Sequence, residues 1–137
     1  MADKGRNIPP VTPAEANATV QQAFERIART FGSGTVPAIY QSVAQNPTVL
    51  DALVTFRGQV MDTGELDAVL KEWLAWAAVI LTHNAFGVRI HTARLRRLGV
   101  TDAQLVEALG VLGFFSAMGT VAHGIGLTAE DALPPEQ

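Results

Sequence analysis

The chain has 137 residues, the size of one domain that can bury a core of its own. With 48% hydrophobic and only 17% charged residues it is more apolar than a lone domain needs, and self-association is the expected outlet. A net charge of −3 without an extended basic tract argues against nucleic acid, and the absence of cysteine removes disulfides, thiolate metal sites and the nucleophile of a thiol peroxidase.

Residues 1–11 are polar and proline-containing, and read as an arm that lies over the surface or reaches a neighbouring subunit. No apolar run follows the first charges, so they do not form a signal peptide. The longest uninterrupted apolar run, Trp73 to Leu81, is far short of the roughly 20 residues that span a bilayer. The expectation is a cytoplasmic protein without a membrane partner.

Thr12-Pro13-Ala14-Glu15 has the pattern of a capping box with proline at the first helical position, which predicts a helix over about 13–31. One face of it carries Val20, Ala23, Phe24, Ile27, Ala28 and Phe31. A short helix over about 37–44 follows, and Asn46-Pro47 repeats the cap-plus-proline signal for a third helix to about Met61. Its expected apolar positions are Val49, Leu50, Leu53, Val54, Phe56 and Val60.

The stretch from Glu72 to His91 joins the most apolar segment to the densest group of polar side chains. A helix over about 66–82 has a stripe of Leu66, Val69, Leu70, Trp73, Leu74, Ala77, Ile80 and Leu81. Glu72 points away from it, on a line with Trp76 and Val79, so the second half of the helix is apolar all round. A carboxylate beside such a wall is partly desolvated, which suits proton transfer. After a break near His83, Thr82 or Asn84 caps a helix that ends at Gly99. Asn84, Val88, His91, Leu95 and Leu98 form its core-facing stripe. Gly87 removes a side chain where something must approach closely.

Thr101 to Gln104 is another capping box, opening a helix to about Leu109. The apolar segment Val111 to Ala122 is flanked and interrupted by small residues, among them Gly110, Gly113, Ser116, Ala117 and Gly119, which let backbones pack closely within or between subunits. Residues 128–137 read as a loose acidic tail. No segment alternates as a strand does, so the expected fold is all-α: a single-domain helical bundle of about six or seven helices over residues 12–127.

The run Glu72, eleven residues, Asn84, two residues, Gly87, three residues, His91, Thr92, closing in Arg97-Leu98-Gly99, resembles the carboxymuconolactone decarboxylase and alkylhydroperoxidase D-like family. The segment order from Ile8-Pro9-Pro10 onward is similar to its peroxidase-related branch. Redox members carry Glu, then Cys-x-x-Cys, then His at these intervals, and Asn84 and Gly87 stand here where the cysteines would be. The resemblance implies an alkylhydroperoxidase D-like fold, a proton-handling role for Glu72 and His91, and homotrimers or homohexamers.

By residue type alone, Glu72 beside Lys71 could be a surface position, and His91 could simply bond a neighbouring backbone group or a glutamate; the resemblance makes the pair the catalytic candidates. Asn84 is fully explained as a helix cap, or it donates a hydrogen bond to a substrate carbonyl at a helix terminus. His83, Gly87 and His123 complete the substrate-binding candidates. A zinc site from His83, His91 and His123 is disfavoured by their spacing, so neither metal nor cofactor is expected. Arg57 and Arg89 are explained by surface pairing as well as by a substrate carboxylate. Arg94, Arg96 and Arg97 suit the helix's last turn, where the macrodipole favours cations.

Three functions compete. One is a cofactor-free lyase or proton-transfer enzyme acting on a small carbonyl or lactone acid. Another is a catalytically degenerate oligomeric binding or scaffold protein. Hydroperoxide reduction, as in the cysteine-bearing relatives, is disfavoured by the missing thiols.

Overall fold

Six helices are present in the computed structural model, which describes residues 5–32 and 34–132 and contains no strand among them. The chain divides into two compact units, Met1–Glu65 and Leu66–Gln137.

In the first unit, α1 (Ala18–Phe31) begins at Asn17, whose side-chain oxygen accepts from the Val20 N–H at 3.0 Å. The helix therefore starts five residues later than the expected residue 13. Thr12 and Glu15 do close on each other: the Glu15 carboxylate accepts from the Thr12 N–H at 3.0 Å and hydroxyl at 2.7 Å. This box closes a separate turn, because Asn17 offers the better-placed cap. Val20, Ala23, Phe24 and Ile27 are buried as the periodicity predicts, together with Ala16, Ala44 and Leu50.

α2 (Ala38–Val43) and α3 (Pro47–Met61) complete this core. The Asn46 side chain caps α3 through the Val49 N–H at 3.2 Å, with Pro47 in the first turn. Of the expected core face of α3 only Leu50 is buried, and Val49, Leu53, Phe56 and Val60 are exposed. The arm lies on its own chain: the Val11 N–H donates to Gln41, the Ser42 hydroxyl to the Ile8 carbonyl and the Gln45 amide to the Pro9 carbonyl.

In the second unit, α4 (Ala68–Leu81) is capped by Asp67, α5 (Ala85–Arg97) by Asn84 and α6 (Asp102–Ile125) by Thr101. The core is Trp76, Leu95 and Leu105, backed by Trp73, Ile80, Val100, Ala108 and Leu112. The face expected to be buried on α4 is corrected here. Leu66 ahead of the helix and Val69, Leu70, Leu74 and Leu81 within it are exposed, whereas Lys71, Glu72 and Trp76 are buried. A helix that is apolar all round has no face its own periodicity can select; packing against α5 selects it.

A second correction concerns α6. The capping box at Thr101 forms in full, but the helix it opens runs 24 residues without a break at Leu109. At a mean hydropathy of 1.7 it is long and apolar enough, by length and composition, to cross a membrane, which the longest-run argument from Trp73 to Leu81 overlooked. Glycine at 110 and 113 lowers helix propensity without breaking the ladder. Past Gly126, the expected loose tail begins with a 3-10 turn, Ala129–Asp131, closed by the Asp131 carboxylate on the Thr128 N–H at 2.8 Å. The rest of that tail, 133–137, and residues 1–4 of the arm lie outside the described residues.

Candidate functional site

The corner between α4 and α5 is built in three residues. Asn84 N–H bonds the Val79 carbonyl at 2.9 Å and His83 N–H bonds that of Ile80 at 3.1 Å. These are the two bonds of a Schellman motif, which places His83 at the position where glycine is usual. His83 accordingly has φ +55, among the described residues the one positive value outside glycine. Asn84 then ends one helix and starts the next, its side-chain oxygen accepting from the Gly87 N–H at 2.9 Å. The same motif ends α5, with Gly99 in the left-handed position and Val100 N–H on the Leu95 carbonyl at 3.1 Å.

This corner folds α5 back along α4 and brings Glu72 to His91. Glu72 is only 5% exposed. One carboxylate oxygen, Oε1, is hydrogen-bonded to His91 Nδ1; the other, Oε2, lies 3.6 Å from the Arg94 guanidinium. The surface reading of Glu72 is therefore wrong, and its neighbour Lys71 is buried too. With Nδ1–H donating to a carboxylate, His91 presents Nε2 as its second, basic nitrogen. The ring keeps 21% of its side-chain surface, so the pair is partly closed off but reachable. One turn along α4, the Trp76 indole donates to the Thr92 hydroxyl at 2.9 Å, and Trp73 packs edge-on against Trp76. These contacts hold α4 and α5 in register beside the acid and the imidazole.

The remaining candidates separate. Gly87 is buried, and a Cβ placed on it would come within 2.6 Å of Val79 Cγ1. The close approach expected at Gly87 is thus made by α4, and the Asn84 side chain is occupied in capping. His83 lines an open groove of about 720 Å³ together with Trp76, Ile80, Val88, Thr92, Arg96 and Leu105. Glu72 and His91 are absent from that lining. His123 lies exposed in the last turn of α6. No group of acidic or histidine residues is arranged for a metal ion among the described residues. Of the other arginines, Arg57 pairs with Asp62 at 3.3 Å and stacks over Phe31 at 5.3 Å, and Arg89 is exposed.

Residues 47–130 match the profile of the carboxymuconolactone decarboxylase family. The chain belongs to this family. Its all-α fold is similar to the alkylhydroperoxidase AhpD core of Rhodospirillum rubrum, with a TM-score of 0.84 at 24% identity, over 91% of this chain and 94% of that one. At that identity the likeness speaks for the fold alone. No curated protein matches the sequence. This decarboxylase-family chain carries no cysteine anywhere in its 137 residues.

Sequence reasoning missed Arg94, which it treated as one of three cations answering a helix dipole. The signal was present: Arg94 follows His91 by three residues and so shares its face of α5. It also missed the Trp76–Thr92 bond, since nothing in either residue's own helix selects the other.

Proposed function

We propose that this family member is a cofactor-free acid–base catalyst acting on a small carbonyl or lactone acid, with His91 as the proton-handling group. The observation that carries the reading is the buried Glu72 carboxylate on His91 Nδ1. A carboxylate there fixes the tautomer, leaves Nε2 to take a proton and stabilises the imidazolium that results. In proton transfer, Nε2 removes hydrogen from the carbon beside a carbonyl and the C–H electron pair moves to the carbonyl oxygen as an enolate. In decarboxylation, the C–C bond to the leaving carboxylate breaks to release CO2, its electrons form the enolate, and His91, first protonated on Nε2 by solvent, delivers that proton to carbon. Both are proton chemistry. Thiol-dependent peroxide reduction has no nucleophile in this sequence.

The test is a panel of small β-keto, α,β-unsaturated and lactone acids incubated in D2O and followed by NMR for deuterium exchange or loss of CO2. Wild-type protein should turn over at least one member, and His91→Gln should slow it by about 100-fold or more while keeping the helical fold. Equal rates in the two proteins would overturn the assignment.

A second part of the proposal is self-association, as homotrimers or homohexamers, through α6. From Ala108 to Ala122 this helix has no charged residue, and Val111, Phe114, Phe115, Met118, Val121 and Ile125 are exposed. Gly110, Gly113, Gly119 and Gly124 each have open space where a side chain would go. Each costs a helix about 1 kcal/mol relative to alanine, and no contact among the described residues explains them. Neighbouring chains packed around this helix supply the reason. The same face supports the competing scaffold reading, which the turnover panel separates from catalysis.

A further inference from the structure

We propose that Arg94 is a positioning residue of this site: by holding Glu72 Oε2 it turns Oε1 onto His91 Nδ1 and so directs Nε2 outward as the single working nitrogen. The inference deepens the acid–base reading above and rests on it for its purpose, but its geometry stands by itself. A glutamate side chain has three rotatable bonds, and its carboxylate offers two equivalent oxygens. Left to itself, such a group can meet an imidazole through either oxygen or rotate away. Here the two oxygens have different partners, both on α5, with His91 on Oε1 and Arg94 at 3.6 Å from Oε2.

The spacing makes this possible. His91 and Arg94 are three residues apart, so both side chains reach the same stretch of α4. Glu72 sits opposite them, 5% exposed, and the Arg94 side chain keeps only 19% of its surface. A guanidinium is permanently charged, and at 3.6 Å, beyond hydrogen-bond reach, it acts on Oε2 by charge. Lys71, the residue before Glu72, is itself buried and belongs to α4.

This assigns the three residues different tasks. Glu72 acts through His91, with Oε1 hydrogen-bonded to the imidazole and Oε2 facing the Arg94 charge. His91 alone meets the substrate, through Nε2. Arg94 acts on the imidazole through Glu72.

The experiment is nitrogen-15 NMR of the histidine rings in the full-length protein in alkaline buffer, with His91 resonances identified by their loss in His91→Gln. In wild type, Nδ1 should resonate as the protonated nitrogen and Nε2 as the bare one. In Arg94→Met the carboxylate loses its anchor, and the Nε2 resonance should move toward the protonated position, the form an imidazole prefers in water. Arg94→Lys, which retains a cation, should restore the wild-type pattern at least in part, a rescue that a purely packing role would not produce. Arg94→Gln keeps a long polar stem without charge and replaces the methionine variant should that one fail to fold.

A wild-type ring protonated on Nε2, or an unchanged ring in folded Arg94→Met or Arg94→Gln, would overturn the proposal. None of these readouts requires turnover. The tautomer pattern can therefore hold while the substrate panel fails, or fail while the panel succeeds, and the two readings fall separately.

Discussion

Gly87 and Val79 meet where α5 crosses α4, and the space a methyl group would need at Gly87 is already filled by the valine side chain, 2.6 Å from the ideal Cβ position. That contact sets how closely the two helices lie, and so whether Glu72 can reach His91. Both neighbours of the missing methyl, Val79 and the capping Asn84, are held by their own helices. Gly87→Ala should destabilise the protein by about 1–3 kcal/mol despite alanine's better helix propensity. Urea denaturation measures it, and Val79→Ala combined with Gly87→Ala should recover part of the loss, since the two sites share one contact.

His83→Gly should act in the opposite direction. The left-handed conformation costs an ordinary residue about 1–2 kcal/mol, and glycine's greater freedom in the unfolded chain offsets roughly half of that. A net gain of about 0.5–1 kcal/mol in thermal or urea stability is expected. A loss instead would mean that the His83 side chain makes a contribution at the groove larger than the strain it carries.

Removing Glu72 should cost more than removing an exposed carboxylate. Breaking a buried ion pair by deleting one partner costs about 3–5 kcal/mol, and the partial exposure of His91 and Arg94 lowers the expectation for Glu72→Ala to about 2–3 kcal/mol. Chemical denaturation of Glu72→Ala beside Glu65→Ala, an exposed control, gives the comparison.

The α6 face predicts assembly. Sedimentation velocity of the wild-type chain should show one discrete species larger than a monomer, and Phe115→Glu, placed at a side chain 67% exposed in the single chain, should convert it to monomer. A monomeric wild type without detergent would remove this interface, and partition into lipid vesicles would point to a membrane instead.

The Thr12–Glu15 turn supplies a pH test. Hydrogen bonds from the Thr12 hydroxyl and then its N–H hold the Glu15 carboxyl below its ordinary value. A lowered folded value means that the turn's contribution is present above the unfolded value and is lost as pH falls through the folded one. Carbon-13 NMR of Glu15 should therefore give a midpoint lower in wild type than in Thr12→Val, which retains only the N–H donor.

How far local pattern carried the reading is visible in these same residues. The existence of the first five helices, the caps at Asn46, Asn84 and Thr101, and the buried face of α1 follow from short-range rules, because caps and amphipathic periodicity are decided within one or two turns; the start of α1, expected near 13, was set instead by Asn17. Glu72 and His91 were singled out together by the family resemblance that their spacing carries. Which face of α4 is buried was not legible, since leucine, tryptophan and valine surround that helix and leave its own sequence neutral on the question. Arg94 joined the site only once α4 and α5 were laid together.

What the residues alone determined is an all-α chain without a thiol, with a helix break near His83 and a carboxylate and an imidazole on consecutive helices. The tertiary structure decided the rest. It buried Glu72 where a solvated surface was also consistent with the pattern, set its two oxygens against different residues of α5, and supplied Val79 of α4 as the group that approaches Gly87. The physical reason is that a helix specifies its neighbours along its own axis, whereas the partner across an interface is chosen by the shape and charge that only packing brings together.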